Sequence, residues 1–385
     1  MDVVVDANIP GAAQAFAELG SVRLLSGEHI ERQSIRNADV LLVRSVTRVD
    51  DGLVDGSRLC CVGSATTGTD HVDLPSLARR GIAFMHAPGS NAESVVEWVL
   101  AALLRVSAHR SVELRGKTVG IVGCGNVGRR LSKRLGAFGV RILKNDPPLA
   151  KRGSGDFVSL GRLLAEADIV SLHVPLTGTG AFPTSNLIGK AELSQLQPGA
   201  WVVNTSRGRV IDEDALVGAL RAGQVGAAIL DVWATEPDPN GALLELADVV
   251  SPHVAGHSFD GKLQGTVMLH RALMQHFGRE ATWNGSDLAA LTDFEQLPLP
   301  APAPDLPETA WLDAFVRPLC DLQRLDSELR TMRSVKPHEH GVFFSALRKS
   351  CPRRRAFRLR WIPKANVPAP LHHVVEHGVG IRLAG

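Results

Sequence analysis

Three polar side chains sit where acid–base chemistry on a small hydroxy acid could be run: Arg207 after WVVNTS, Glu236 beyond AAILDV, and His253 closing DVVSPH. They lie 29 and 17 residues apart. Oxidising a secondary alcohol by hydride removal requires a base for the hydroxyl proton, and a histidine titrates near neutral pH. A carboxylate at Glu236 beside His253 would orient the ring and stabilise its protonated form. Arg207 could hold a substrate carboxylate in a two-point fork and polarise the adjacent carbonyl. Alone, each has a plainer reading: a surface charge, a turn residue beside Pro237, a strand cap after Pro252. Downstream of the glycine motif described next, the three together read as a catalytic set.

That motif is Gly123-Cys124-Gly125-Asn126-Val127-Gly128, a GxGxxG spacing. The spacing alone is weak evidence, but here it follows the strand-like TVGIV and opens a helical stretch, as a dinucleotide fingerprint requires. The first glycine permits a tight turn, the second lets backbone approach a pyrophosphate, and the third lets helix pack on strand. Asp146 ends the next strand, eighteen residues after Gly128. A carboxylate there accepts ribose hydroxyls of NAD and repels the 2′-phosphate of NADP.

These groups need a scaffold that delivers them to one rim. TVGIVG (118–123), VRILKND (140–146), DIVSLHV (168–174), WVVNTS (201–206), AAILDV (227–232) and DVVSPH (248–253) are short, apolar and separated by helical stretches such as 127–138 and 212–222. Six strands with helical crossovers predict a doubly wound parallel sheet, whose ligands bind outside the carboxyl ends of the strands. A separate α/β unit precedes it, with strands predicted at 3–7, 22–26, 40–45 and 60–65 and a helix over 11–19. Ser90-Asn91-Ala92-Glu93 has the form of a capping box opening a connecting helix through about Val106. Five prolines between Pro298 and Pro307 predict an extended linker. Residues 308–333 then read as amphipathic helix interrupted at Pro318, ahead of a basic tail.

Composition narrows the class. The 385 residues predict two or three domains, and 42 Lys+Arg against 40 Asp+Glu argue against a nucleic-acid wrapper. The start, MDVVVDANIP, has no signal-peptide pattern. The best apolar stretch, 95–106, is broken by Glu97 and Arg105, so no membrane span is expected. Five cysteines without a CxxC pair suit a reduced, cytoplasmic protein. No His/Cys cluster has zinc spacing, so no metal is expected.

The ordered set GCGNVGRRL, NTSRGRVIDEDAL, LDVWATEP and SPHVAG resembles the D-isomer-specific 2-hydroxyacid dehydrogenases. VDANIP, VRSVTRV, GSATTGTDHVD, APGSNAESVVEWV, NDPPLAKRG and SPHVAGHSFDGKLQGT extend the resemblance to members that oxidise 4-phosphoerythronate in the vitamin B6 pathway. The resemblance implies NAD as cofactor, a phosphorylated 2-hydroxy acid as substrate, and catalytic roles for Arg207, Glu236 and His253, with His253 the proton donor in reduction. It puts Val174, Ser206, Arg207, Gly208, Asp231 and Gly256, with Asp146, beside NAD. It puts Ser45 and Thr66 on the substrate. It also implies a discontinuous substrate-binding lid domain (1–93 and 254–290), an NAD-binding Rossmann domain (94–253), a linker (291–307) and a small α+β C-terminal domain (308–385) that forms a homodimer. Where relatives carry tyrosine after the His-x-Ala-Gly stretch this chain has His257, whose imidazole can still donate to a phosphate or hydroxyl.

A substrate phosphate requires cations or amides. Arg44 and Arg48 flank Ser45 at a strand end and could meet it across an interdomain cleft; the alternative is solvated loop arginines. Thr66, Thr67 and Gly68 suit an anion-facing turn or an ordinary one. The basic tail reads as a solvated face or as a contributor to a dimer interface. His71, His173 and His270 read as structural, and Cys60-Cys61 as core. Two rivals stand: oxidation of 3-phosphoglycerate, and a non-catalytic NAD-sensing protein on the same fold.

Overall fold

The computed structural model describes residues 1–153, 155–290, 298–351 and 354–385. Residues 291–297 of the expected linker and Arg353 of the basic tail lie outside the described residues. The chain forms two compact units, one of Met1–Ala92 with Ser258–Glu295, the other of Glu93–His257 with Gln296–Gly385. Among the described residues no helix is long and apolar enough to cross a membrane.

The first unit is built on a five-stranded parallel sheet: β1 (Asp2–Asp6), β2 (Ser21–Leu25), β3 (Val40–Val43), β4 (Cys61–Ser64) and β5 (Ala83–His86), in the order β2-β1-β3-β4-β5. Side chains alternate across a strand. Val3, Val5, Val40, Leu42 and Cys61 therefore fill one core layer, and Val4, Leu41, Val43 and Val62 the other. Burial on both faces is why these strands read as unbroken apolar runs. Cys60 is exposed and Cys61 buried where β4 begins. The long helix Phe259–His276, capped by Ser258, closes the first layer with Leu269, Leu273 and Met274. His270 on that helix is buried between the rings of Phe16 and Trp283.

The second unit holds a six-stranded parallel sheet: β6 (Thr118–Val122), β7 (Arg141–Asn145), β8 (Ile169–Leu172), β9 (Ala200–Asn204), β10 (Val225–Leu230) and β11 (Val249–Val250), in the order β11-β10-β9-β8-β6-β7. Strand order reverses at β6, whose neighbours are β7 and β8, so the ligand crevice of this sheet lies at the carboxyl end of β6. The helix Ala92–Arg110 is apolar nearly all round and is correspondingly buried, with Val96, Trp98, Val99 and Leu103 in the core. It starts two residues beyond Ser90, and the Glu93 carboxylate is engaged by Arg134.

The C-terminal segment contributes helices Glu308–Val316, Leu322–Arg330 and His340–Lys349 and a two-stranded parallel sheet of β12 (Trp361–Pro363) and β13 (Arg382–Ala384). A short 3₁₀ turn over Arg317–Leu319 replaces helix at Pro318, as its missing amide requires. Trp311, Phe315, Phe357 and Ile362 join one core layer of the six-stranded sheet, and Leu325, Leu329, Phe344 and Leu347 join the other. Shared apolar layers make this segment part of the second unit.

Candidate active site

The glycine motif folds as its spacing predicts. β6 delivers the chain to Gly123 at φ +89°, a left-handed conformation in which a Cβ would stand 2.5 Å from the His173 carbonyl oxygen. A Cβ on Gly128, the first residue of helix Gly128–Gly136, would fall 2.0 Å from the Gly123 carbonyl oxygen. A Cβ on Gly125 would meet nothing within 4 Å. Gly123 and Gly128 are thus demanded by packing, whereas Gly125 borders open space among the described residues at a helix N-terminus, the room a pyrophosphate needs. Val174 packs beside Gly123, and the Asn126 carbonyl accepts from Arg130 at 2.6 Å.

Asp146, at the end of β7, accepts the Cys124 amide at 2.8 Å through Oδ2 and the Leu149 amide at 3.0 Å through Oδ1. The carboxylate is therefore locked against the glycine turn. Each oxygen keeps a second acceptor site for a ribose hydroxyl. Burial pushes the neighbouring Cys124 thiol up to about 11, the Asp146 charge adding to it, so Cys124 is a neutral wall residue. The motif and Asp146 together fit a dinucleotide.

Arg207, Asp231 and His253 follow β9, β10 and β11, adjacent strands of one sheet, at their carboxyl ends. Glu236 and His253 meet directly, Nδ1 to Oε2 at 2.8 Å. The other oxygen of Glu236 accepts the Trp233 amide at 3.0 Å. Burial alone would raise the Glu236 carboxyl; its hydrogen bond with His253, the histidine charge and the Trp233 amide outweigh that and hold it below the usual range. An ionised carboxylate only accepts, so Nδ1 of His253 carries the hydrogen and Nε2 is the nitrogen that takes up or gives a proton. The ring is one-third exposed.

The loop that presents His253 is braced by Asp231. Its Oδ1 accepts the Val254 amide at 2.7 Å and the Ser251 hydroxyl, and its Oδ2 accepts the Ala255 amide at 2.9 Å. The His253 amide donates to the Asp231 carbonyl at 2.7 Å. Burial pushes the Asp231 carboxyl up, opposed by the His253 charge and these donors. Ser251 and Trp233, the latter through an indole bond to the Ser251 carbonyl at 3.0 Å, complete the frame. Sequence reasoning passed over both. The signal for Ser251 was its place in Ser-Pro-His, two residues before His253.

Arg207 extends from a turn that Asn204 ties: Asn204 Nδ2 donates to the Arg207 carbonyl at 2.9 Å, and its Oδ1 accepts the Ser206 amide at 3.1 Å and hydroxyl at 2.8 Å. Gly208 then runs flush against the next loop, where a Cβ would lie 1.8 Å from the Trp233 carbonyl carbon. Contact between these backbones sets the arginine loop beside the loop that bears Glu236. Gly256, partly buried, directly follows the braced segment.

The residues assigned to substrate sit mostly in the first unit, also at strand carboxyl ends. Arg44 and Ser45 follow β3, with Ser45 exposed, and Arg48 pairs with Asp50 at 3.1 Å. Thr66 follows β4; its hydroxyl bonds the Ser64 hydroxyl at 2.7 Å and donates to the Gly68 carbonyl at 3.1 Å. His71 joins this network, Nε2 to Ser64 Oγ at 3.0 Å. Thr67 donates to Asn91 at 2.9 Å. His257 ends the first segment of the second unit, its amide donating to Val254 O at 2.8 Å. His173, bonded to Ser171 at 2.9 Å, is half-buried, and desolvation pushes its ring down to about 3, a neutral structural imidazole.

Comparison with known proteins agrees with this chemistry. The D-isomer specific 2-hydroxyacid dehydrogenase NAD-binding domain matches residues 83–255. An erythronate-4-phosphate dehydrogenase of Salinibacter ruber is 45% identical over 388 residues, spanning 100% of this chain and 99% of the relative. That of Azotobacter vinelandii is 42% identical, spanning 92% and 93%. Among solved structures, a Thermus thermophilus protein is 32% identical and superposes with a TM-score of 0.62 over 73% of this chain and 98% of its own. NAD-bound 3-phosphoglycerate dehydrogenase of Entamoeba histolytica shares the fold at a TM-score of 0.62 and 23% identity, over 74% and 98%. With the glycine turn, Asp146 and the histidine–glutamate pair in place, the chain belongs to the NAD-dependent D-isomer specific 2-hydroxyacid dehydrogenase family.

Proposed function

We propose that this chain oxidises 4-phospho-D-erythronate at C2 to (R)-3-hydroxy-2-oxo-4-phosphooxybutanoate, in the synthesis of pyridoxal 5′-phosphate. The observation that carries the chemistry is the 2.8 Å contact of His253 Nδ1 with Glu236, which leaves Nε2 as the proton carrier. The substrate is supported by full-length similarity to proteins of that name.

NAD, when bound, supplies the two-electron acceptor. His253 removes the C2 hydroxyl proton through Nε2, and Glu236 stabilises the imidazolium that forms. Arg207 holds the substrate carboxylate and polarises the C2 oxygen as it becomes a carbonyl. In reduction His253 returns the proton. Asp146, Val174, Ser206, Gly208, Asp231 and Gly256, with the glycine turn, form the cofactor side. Arg44, Ser45, Thr66 and His257 bind the substrate, Arg44 as phosphate partner, with Met1–Ala92 and the helix Phe259–His276 as the lid unit. The C-terminal segment makes a homodimer, and the protein works in the cytoplasm.

Purified protein is to be given 4-phosphoerythronate or 3-phosphoglycerate with NAD, and a 2-oxo acid in parallel in case the cofactor stays bound. A much higher kcat/KM for 4-phosphoerythronate is expected. Preference for 3-phosphoglycerate would move the enzyme to serine synthesis, and turnover of neither despite bound NAD would turn attention to another hydroxy acid or to the sensor reading.

A further inference from the structure

We propose that Arg354 is a positioning residue for His253, fixing from the C-terminal segment the loop that presents the base. The inference rests on the catalytic reading of His253 given above.

Arg354 stands in a run of arginines that reads as a solvated face, yet it is only 9% exposed. Its Nη2 donates to the Ser94 carbonyl at 2.6 Å and to the Ala255 carbonyl at 2.9 Å, and its Nη1 to the Cys320 sulfur at 3.2 Å. Ala255 is two residues beyond His253. Its amide is already held by Asp231 Oδ2, so the Ala255 residue is gripped through both its N–H and its C=O. The first two of the three points at which the chain passes between the units fall after Ala92 and after His257. Ser94 and Ala255 stand just inside these two passages, and one guanidinium nitrogen ties them together.

The loop requires such bracing. His253 has φ +57°, a left-handed conformation that a side-chain-bearing residue holds only when its surroundings over-determine it. Asp231 supplies one side of that constraint and Arg354 the other. The negative charge that accompanies Arg354 is Glu97, which accepts the Phe357 amide at 2.7 Å. A second contact reaches the partner loop: His340 Nδ1 meets Asp238 Oδ1 at 2.6 Å, two residues beyond Glu236. The C-terminal segment thus touches the loops of both members of the pair. A lysine could not reproduce Arg354, because one ammonium cannot match a planar fork with several fixed donors.

The test compares Arg354→Met, Arg354→Lys and His253→Gln by melting temperature, NADH affinity from fluorescence, and the single-turnover rate of NADH formation from 4-phosphoerythronate. Arg354→Met should slow the single turnover about 10–100-fold, the size typical of outer-shell supports, while NADH affinity stays close to wild type. Arg354→Lys should fall between. A folded Arg354→Met at wild-type rate overturns the proposal, as does a loss matched by an equal loss of NADH affinity. If Arg354→Met does not fold, Arg354→Lys decides: a slowed turnover with intact NADH binding supports the proposal, and a wild-type rate overturns it. A fully active His253→Gln would instead defeat the base assignment. An inactive His253→Gln beside fully active Arg354 variants defeats only the positioning.

Discussion

Glu236 beside His253 and Glu97 near Arg354 are two carboxyls beside basic side chains in the same unit, and they move in opposite directions. Glu97 is 1% exposed and the Glu236 side chain 27%, yet the cost of desolvation is the largest influence on each. Glu236 nevertheless ends below the usual carboxylate range, whereas Glu97 is pushed up to about 7. Besides exposure, the two differ in hydrogen bonds. Both oxygens of Glu236 have donors, Trp233 N and His253 Nδ1. Glu97 has the Phe357 amide on one oxygen, while the other is buried without a donor among the described residues. Arg354 directs its fork at two carbonyls and a sulfur and acts on Glu97 through charge alone. A nearby cation alone does not make a buried carboxylate comfortable; access to water and donors aimed at each oxygen do.

The same substitution at the two sites should therefore have opposite consequences. Glu97→Gln mimics the protonated acid and keeps an acceptor for Phe357. The folded protein holds the Glu97 proton more tightly than the unfolded chain does, so stability falls as pH rises from the ordinary glutamate value of 4.5 to about 7 and is level above. Glu97→Gln removes that loss. Its advantage over wild type should be near zero below pH 4.5, grow through the window, and reach about 3 kcal/mol by pH 8. Denaturant melts of both proteins from pH 5 to 8 measure it. A constant difference, or a Gln variant less stable at pH 8, would show that Arg354 needs the full charge of Glu97, and the contrast with Glu236 would collapse.

At Glu236 the exchange should cost activity. Glutamine can still accept from one donor, but it offers no charge to the imidazolium. Glu236→Gln should lower kcat about 10–100-fold, or about 1.4–2.7 kcal/mol in the barrier, with NADH binding retained. Because the Glu236 carboxyl is held low, its share of stability is present above the ordinary glutamate value and is lost only as pH falls through the lowered one. Single-turnover rates at neutral pH decide the matter. An unchanged rate would reduce the 2.8 Å contact to a structural one.

How far these roles were visible beforehand depends on where each residue sits in the fold. Val3–Val5, Val40–Val43, Thr118–Val122 and Ala200–Asn204 are strands buried on both faces, so their apolar runs were plain. β5 is half-buried at every position and its apolar run, Ile82–Met85, has only four residues, while β12 and β13 have three residues each. Arg207 and His253 could be picked out because strand ends carry ligand sites whatever the loop shape. The resemblance puts Asp231 beside the cofactor, but its grip on Ser251, Val254 and Ala255 depends on the path of a loop that no spacing discloses. Arg354 gave no signal at all. Arg355 is half-buried and Arg358 exposed, and nothing in a run of like charges says which member turns inward.

A third carboxylate separates donors from burial. Asp146 borders the open space at Gly125, and like Glu236 it has a donor on each oxygen, here the Cys124 and Leu149 amides. Asp146→Asn keeps the size but leaves one accepting oxygen, so one of the two amides loses its partner and the NH2 group faces a donor. The side chain also loses the charge that accepts ribose hydroxyls and repels a 2′-phosphate. NADH affinity should fall about tenfold, roughly 1.4 kcal/mol, the size of one good hydrogen bond to a charged group. NADPH should lose less, narrowing the preference between the two. Fluorescence titrations with both nucleotides test this directly. Equal losses would mean that the damage lies in the turn at Cys124 and not in ribose recognition. Undiminished NADH binding would mean that Asp146 serves the turn alone, and that donors on a carboxylate here mark architecture, as they do at Asp231.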